Sequence, residues 1–554
     1  MLDKLYLLAA LPLLAAATVV PRNGGASAFA GATTTFAWPP PNVTATIPDA
    51  NFPDATAIDA FGPTPTGDEP AAIATAPVLA PVNDVFPLSR PDTADHKGSK
   101  FDVLHQWGNL SPMFSVDADT FGLPHSSPLV PEGCGLTQVH LLHRHGARYP
   151  TSSSAPSALA AKVHNATAGK GFTASGPLAF LNEWTYKLGA EILTPFGRSQ
   201  LYNLGVGFRV RYGELLKGFT DLPVWRTTSE ERMIDSALQF AAGFFGVQWY
   251  QGDYHQLVEI EASGYNSTLA PYDQCANANN NISSLGGVQS NKWAAIYTKP
   301  TIKRLQKLIK GNLTLTSADI IGMQQACAYE TVALGSSSFC SLFTEEEWEQ
   351  YEYYNDLSFW YGNGPGNPAV AAQGVGWVQE LLSRLTQKRI TTFETSVNST
   401  IVSSNITFPL NQPIFVDATH DTIISAIVTA MNFTNFDVNG ALPTDHIPKN
   451  RQWIVTHISP FGANLVGQVL SCPASDTPTH IRFILNDGVL PLTGIKGCKA
   501  DKNGLCAIDT FIKGMQARVD EIDYQYDCFA NYTLPNVPIL DGRYPPALRR
   551  NVTA

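Results

Sequence analysis

The chain has 554 residues, enough to bury a large core and, beyond roughly 250 to 300 residues, to divide it between two domains. Its 36 basic and 47 acidic side chains leave a formal charge of -11, which argues against a nucleic-acid partner. Residues 1–20 read as a secretory signal: Lys4 precedes an apolar run from Leu5 to Val20, broken by Pro12, and Ala15-Ala16-Ala17 offers a small-residue cleavage site. An uncleaved membrane anchor is the alternative, but the run falls short of the roughly 20 residues a span needs. No later stretch is apolar enough to cross a bilayer, so no stable membrane association is expected after signal cleavage.

Residues 21–100 are rich in Ala, Pro, Thr and Gly and show no period, which predicts a disordered leader. It reads either as a Thr-rich glycosylated segment facing a cell wall or as a plain linker. Order is expected from near Phe101, where Trp107-Gly108-Asn109-Leu110-Ser111-Pro112 approaches the first strand. N-linked glycan acceptors occur at Asn42, Asn109, Asn165, Asn266, Asn281, Asn312, Asn398, Asn405, Asn432, Asn531 and Asn551, a density that fits a secreted glycoprotein. Eight cysteines without a C-x-x-C spacing fit disulfides better than a metal site, with connectivity open.

From Leu136 to Leu142 the chain is apolar or β-tolerant apart from Gln138 and His140, and then ends in Arg144-His145-Gly146-Ala147-Arg148-Tyr149-Pro150. A buried strand delivering polar groups at its carboxyl edge is the expected placement of a ligand site in an open α/β sheet. Two arginines flanking an imidazole make an anion site with a nucleophile in it, and a phosphoryl group is the natural anion.

Leu201, Leu204, Phe208, Tyr212 and Leu215 describe an amphipathic helix after Pro195. The stretch Leu222 to Thr228 reads as a strand entering a helix capped by Thr228 with Glu231, which puts Arg226 just ahead of a helix amino end, where anions are favoured. From about residue 259 to 387 the character changes to helices and long polar loops, read as a mainly helical cap; Thr344 with Glu347 is a capping-box candidate and Val378, Leu381, Leu382 and Leu385 form a stripe. The α/β signal returns at Ile414-Phe415-Val416, whose strand ends in His420-Asp421 before a helix carrying Ile423, Ile424, Ile427 and Val428.

Arg144 to Pro150 resembles the R-H-G-x-R-x-P signature of the histidine acid phosphatases, and His420-Asp421 resembles their distal H-D pair. Thr194-Pro195-Phe196-Gly197, Tyr361 to Pro368 and Gln373-Gly374-Val375-Gly376 make the likeness strongest to the fungal phytase-like branch, branch 2 of the histidine phosphatase superfamily. The resemblance implies a three-layer α/β sheet domain with an inserted, mainly helical cap, partitioned as 101–258, 259–387 and 388–535 with a tail at 536–554. It implies disulfides joining Cys134 to Cys472, Cys275 to Cys528, Cys327 to Cys340 and Cys498 to Cys506. It also makes Arg226 the match to the family's third phosphate-binding arginine.

The chemistry then divides as follows. Arg144, Arg148 and Arg226 neutralise the phosphoryl charge, and His420 helps hold it. Neutral His145 attacks to form a phosphohistidine, and Asp421 protonates the leaving oxygen. No cofactor or metal is required; zinc on His140, His143 and His145 is the rival, disfavoured because strand alternation turns His140 away from the other two. His143 could touch the pocket or act from behind it. The expected protein is a secreted, extracellular acid phosphomonoesterase acting on phytate and other small phosphomonoesters. The rivals are a broad acid phosphatase with little phytate preference, a catalytically silent glycoprotein of the same fold, and a mutase-like transferase, which secretion would separate from its metabolites.

Overall fold

The computed structural model describes residues 85–95, 101–248 and 250–549. The expected signal segment, most of the expected leader and the acceptors Asn42 and Asn551 lie outside the described residues.

The chain runs through β1 (Gly135–Arg144), α1 (Ala155–Ala168), β2 (Phe172–Ala174), α2 (Pro195–Tyr212), β3 (Val224–Thr228), α3 (Glu231–Phe245) and β4 (His255–Glu259). There follow α4 (Leu285–Gln306), β5 (Ile309–Gly311), α5 (Ser317–Leu334), α6 (Glu345–Asn363) and α7 (Val370–Thr386). The last part holds β6 (Ile414–Thr419), α8 (Asp421–Ala430), β7 (Asn464–Ser471), β8 (His480–Leu485), β9 (Gly488–Leu490), β10 (Cys506–Ala507), α9 (Ile508–Glu521) and α10 (Tyr524–Phe529).

An 8-stranded mixed sheet has the order β10-β8-β7-β1-β6-β3-β4, with β9 paired to β8. Strands β1, β6, β3 and β4 are parallel, while β7 pairs antiparallel with β1 and β8. Parallel strands are covered on both faces, and every residue of β3 and β6 is buried. Val139, Leu141, Ile414, Val416 and Trp225 pack with Phe208 of α2 and Phe240 of α3. On the other face Leu142 joins Val375 of α7 and Ile423 and Ile427 of α8. This is the three-layer α/β arrangement expected.

The helices divide differently from the 259–387 boundary. Helices α4 and α6 pack together, α5 joins them, and α1 from the first part packs on α5, whereas α7 packs on α8 and belongs with the sheet. One buried apolar cluster runs without a break from the cap helices into the α7 and α8 layer.

The leader boundary also moves. Within Val85 to Asp95 the Ser89 N–H donates to the Gly335 carbonyl over 2.8 Å, the Ala94 N–H donates to that of Phe343 over 2.8 Å, and Leu88 is buried. These residues dock beside the cap, where the sequence predicted a disordered leader. At the other end, the Gly542 N–H donates to Pro365 and the Gly542 carbonyl accepts from Ala371, tying the tail to the start of α7. Disulfides join Cys134 to Cys472, Cys275 to Cys528, Cys327 to Cys340 and Cys498 to Cys506.

Candidate active site

Three parallel strands release their chains at one edge, and each release supplies polar groups. Strand β1 ends in Arg144 and leads into His145 and Arg148, β6 leads into His420 and Asp421 at the start of α8, and β3 leads into α3 with Arg232 in its first turn. Gly146 is required by packing: a Cβ there would lie 2.2 Å from the Gly197 carbonyl oxygen. The approach segment is pressed in similarly, since Gly108 has φ +60° and its Cβ would fall 2.5 Å from that of Asn355. That contact delivers Asn109 to the site.

His145 is 1% exposed, and its Nδ1 lies 2.8 Å from the Gly146 carbonyl. A carbonyl only accepts, so Nδ1 carries the proton and Nε2 keeps its lone pair. Burial, reinforced by Arg144, Arg232, Arg148 and His420, pushes the ring's pKa well below its ordinary value, so it stays neutral in acid.

Arg144 is fully buried. Its Nη1 donates to the carbonyls of Asn109 and, at 2.9 Å, Ser459, and its guanidinium lies 4.4 Å from the centre of the Phe461 ring. Its Nη2 stands 2.8 Å from Asp421 Oδ2 as an ion pair without hydrogen-bond alignment, and its Nε has no hydrogen-bond partner. Buried donors left unmatched in this way are costly unless a ligand takes them.

Asp421 accepts from Asn109 Nδ2 at 2.8 Å and from the Thr422 N–H at 2.8 Å. Burial favours its neutral form, but Arg144, the Asn109 amide, Arg148 and the Thr422 N–H together hold its pKa below the usual carboxylate range. In the folded chain the Asn109 amide nitrogen, expected as a glycan acceptor, is therefore committed inside the site.

A cleft of about 330 Å³ is lined by His145, Arg148, Arg232, Tyr272, His420 and Asp421 together with Asn279, Ser283, Asn363, Asn367 and Gln373. No lysine is among its lining residues. Lys162, the first lysine after the signature, is held by Asp319 at 2.5 Å.

Arg226 lies elsewhere. It sits in the middle of β3 opposite Asp417, 2% exposed, and its guanidinium is divided among Asp417 at 2.7 Å, Glu259 at 3.0 Å and Glu380 at 2.7 Å. Arg384 also binds Asp417, at 2.6 Å. With every edge occupied by a carboxylate, Arg226 has nothing left for a phosphoryl group, and the structure takes it out of the expected site. The arginine that reaches the cleft from this junction is Arg232, which contacts Glu230 and, at 3.2 Å, Glu191. The helix start explains the exchange: Glu230, not Thr228, caps α3, so Arg232 falls in the first turn.

His143 stacks on Phe240 with its Nδ1 3.1 Å from the Arg144 carbonyl, and His140 stacks on Phe415. Both rings are buried in the strand away from the cleft lining. Among the described residues one group of acidic and histidine side chains has metal-binding dimensions, Glu230 with Glu261 and His420; Arg232 and Tyr272 already bind its carboxylates.

Residues 135–486 match the histidine phosphatase superfamily (branch 2). Phytase A of Aspergillus oryzae is 35% identical over 430 residues, covering 74% of this chain and 88% of the relative. Phytase A of Neurospora crassa is 30% identical over 472 residues, covering 75% and 90%. The crystal structure of the phytase from D. castellii superposes with a TM-score of 0.64 at 25% identity, covering 78% of this chain and 89% of that one. On its fold, its strand-end constellation and these matches, the chain belongs to branch 2 of the histidine phosphatase superfamily.

Proposed function

We propose that the chain is a secreted phosphomonoesterase working through a phosphohistidine on His145. The observation that carries this reading is the His145 ring, tied at Nδ1 to Gly146 and presenting a neutral Nε2 to a cleft shared with Arg148, Arg232, His420 and Asp421. The imidazole attacks phosphorus as the ester P–O bond breaks, and the alcohol departs with the proton of Asp421. Water then attacks the phosphohistidine, giving its proton to the Asp421 carboxylate and releasing phosphate. Arg144, Arg148 and Arg232 neutralise the transferring oxygens. The ion pair with Arg144 keeps Asp421 ionised until a phosphoryl group competes for that arginine, so acid pH supplies the proton together with the substrate.

Relatives named Phytase A support phytate as a substrate. A second reading, broad use of small phosphomonoesters, is favoured by the absence of lysine from the cleft lining: the arginines grip one phosphoryl group, and amides and hydroxyls face the rest of the substrate. The test is kcat/KM for phytate against 4-nitrophenyl phosphate at the optimal pH, in the parent and in His145→Ala. Turnover abolished in the variant supports the nucleophile. A phytate preference above about a hundredfold, equivalent to about 2.7 kcal/mol, overturns the broad reading.

A further inference from the structure

His420 does not meet the cleft alone. Its ring stands edge-on to that of His145, with centroids 5.8 Å apart, and its Nε2 lies 3.0 Å from Glu261 Oε2. Glu261 follows β4, and its carboxylate is 4% exposed. Its backbone N–H donates to Ser229 Oγ at 2.9 Å and its other carboxylate oxygen accepts from the Tyr272 hydroxyl. A second carboxylate, Glu230, comes within 3.8 Å of the same ring nitrogen but is drawn to Arg232.

We propose that Glu261 is a positioning residue for His420, one that accepts the Nε2 proton, turns Nδ1 toward the cleft, and balances the charge the ring carries when both nitrogens donate. A ring that binds a phosphoryl oxygen through Nδ1 while Nε2 donates to a carboxylate must be an imidazolium. Without a fixed anion behind it, that cation would stand beside Arg144, Arg148 and Arg232. Burial works against ionisation of Glu261, yet the adjacent His420 ring and the Tyr272 hydroxyl outweigh it and hold its pKa low. The groups facing this pair are Glu230 and Arg232 from the start of α3, Arg148 and His145 after β1, and Tyr272 with Asp273 from the loop beyond β4. The proposal rests on the phosphoryl site described above.

Glu261→Gln keeps an acceptor for Nε2 and removes the charge, whereas Glu261→Ala removes both. In Glu261→Gln the inhibition constant of inorganic phosphate and KM for 4-nitrophenyl phosphate rise about tenfold, with kcat within about threefold. In Glu261→Ala kcat falls as well, by about a hundredfold, because the ring is no longer aimed. A phosphate affinity unchanged in Glu261→Gln, or a loss carried in kcat with KM unchanged, overturns the proposal. If Glu261→Gln does not fold, Glu261→Asp keeps the charge but draws it back from Nε2 and gives a smaller loss of phosphate affinity with kcat little changed; no loss is again negative. A parent that turns over and is silenced by His145→Ala, beside an unaltered Glu261→Gln, sinks this inference and leaves the phosphohistidine reading standing.

Discussion

The imidazole of His145 is fastened by the carbonyl of its own neighbour, Gly146, 2.8 Å from Nδ1, and a ring held in this way has one tautomer and one free lone pair. Replacing it with alanine removes the nucleophile without disturbing strand β1, which ends at Arg144. Turnover in His145→Ala should drop by more than about a thousandfold with an unchanged melting temperature. Acid quench of the parent with labelled substrate should trap phosphate on His145. Because burial and neighbouring cations lower this ring's pKa well below 6.5, kcat/KM should show no fall with a midpoint near 6.5 as pH is lowered.

Asp421 rests as a carboxylate paired with Arg144. A phosphoryl group that engages Arg144 removes that support and adds repulsion, so inorganic phosphate, a monoanion near pH 5, should bind there as the monoanion with uptake of about one proton. Calorimetry in two buffers of different ionisation enthalpy reads this number directly, and Asp421→Asn should abolish it. The same variant should slow alkyl phosphates far more than aryl phosphates, whose leaving groups need less help from a proton.

Arg226 and Arg232 should part company on mutation. Removing Arg226 leaves buried Glu259 and Glu380 without a cation and Asp417 with Arg384 alone, and Arg226→Met should cost about 3 to 5 kcal/mol of stability, seen as a lowered denaturation midpoint. Arg232→Gln should leave that midpoint nearly unchanged and raise KM for a simple phosphate ester about tenfold to a hundredfold.

How much of this was legible in the sequence depends on the range over which each residue finds its partners. The junctions at Arg144 and His420 could be read because strand, break and reactive side chains are contiguous; runs such as Ile414-Phe415-Val416 marked sheet strands, and the resemblance to the histidine acid phosphatases implied the three-layer fold. Arg226 misled because its character is set by Asp417, Glu259 and Glu380, up to 191 residues away. Arg232 was missed because the helix start was placed two residues early, a shift that turns its side chain off the site. Asn363, Asn367 and Gln373 lie in stretches that carried the family likeness, but their place in the cleft, like that of Asn279 and Glu261, is set by tertiary packing. Docking of Val85 to Asp95 escaped notice because scattered contacts, such as the Ser89 and Ala94 backbone bonds and buried Leu88, leave no periodic mark.

Several buried carboxyls make the fold itself favour acid. Burial, the first cause in each case, raises Asp356 to about 8, Glu259 to about 7, Asp527 to about 7 and Asp235 to about 6. A carboxyl whose folded pKa exceeds its unfolded value stabilises below the unfolded value and loses that contribution as pH rises through the folded one. Asp417, Asp421 and Glu261, held low by their cationic neighbours against burial, act oppositely and lose their contribution as pH falls below about 4. The melting temperature should therefore peak at about pH 4 to 5 and decline toward pH 8. In Glu259→Gln the slope between about pH 4.5 and 7 should flatten.

Asn109 spends its amide nitrogen on Asp421 and its carbonyl on Arg144, yet it also opens an Asn-Leu-Ser acceptor sequence. In a secretory pathway the two uses compete in time, since the sugar is attached to unfolded chain and the hydrogen bond forms only on folding. A molecule that loses this race carries an oligosaccharide where Asp421, the proposed general acid, should be held. Glycan occupancy at Asn109 would thus count, molecule by molecule, the fraction of a preparation that left the cell inactive.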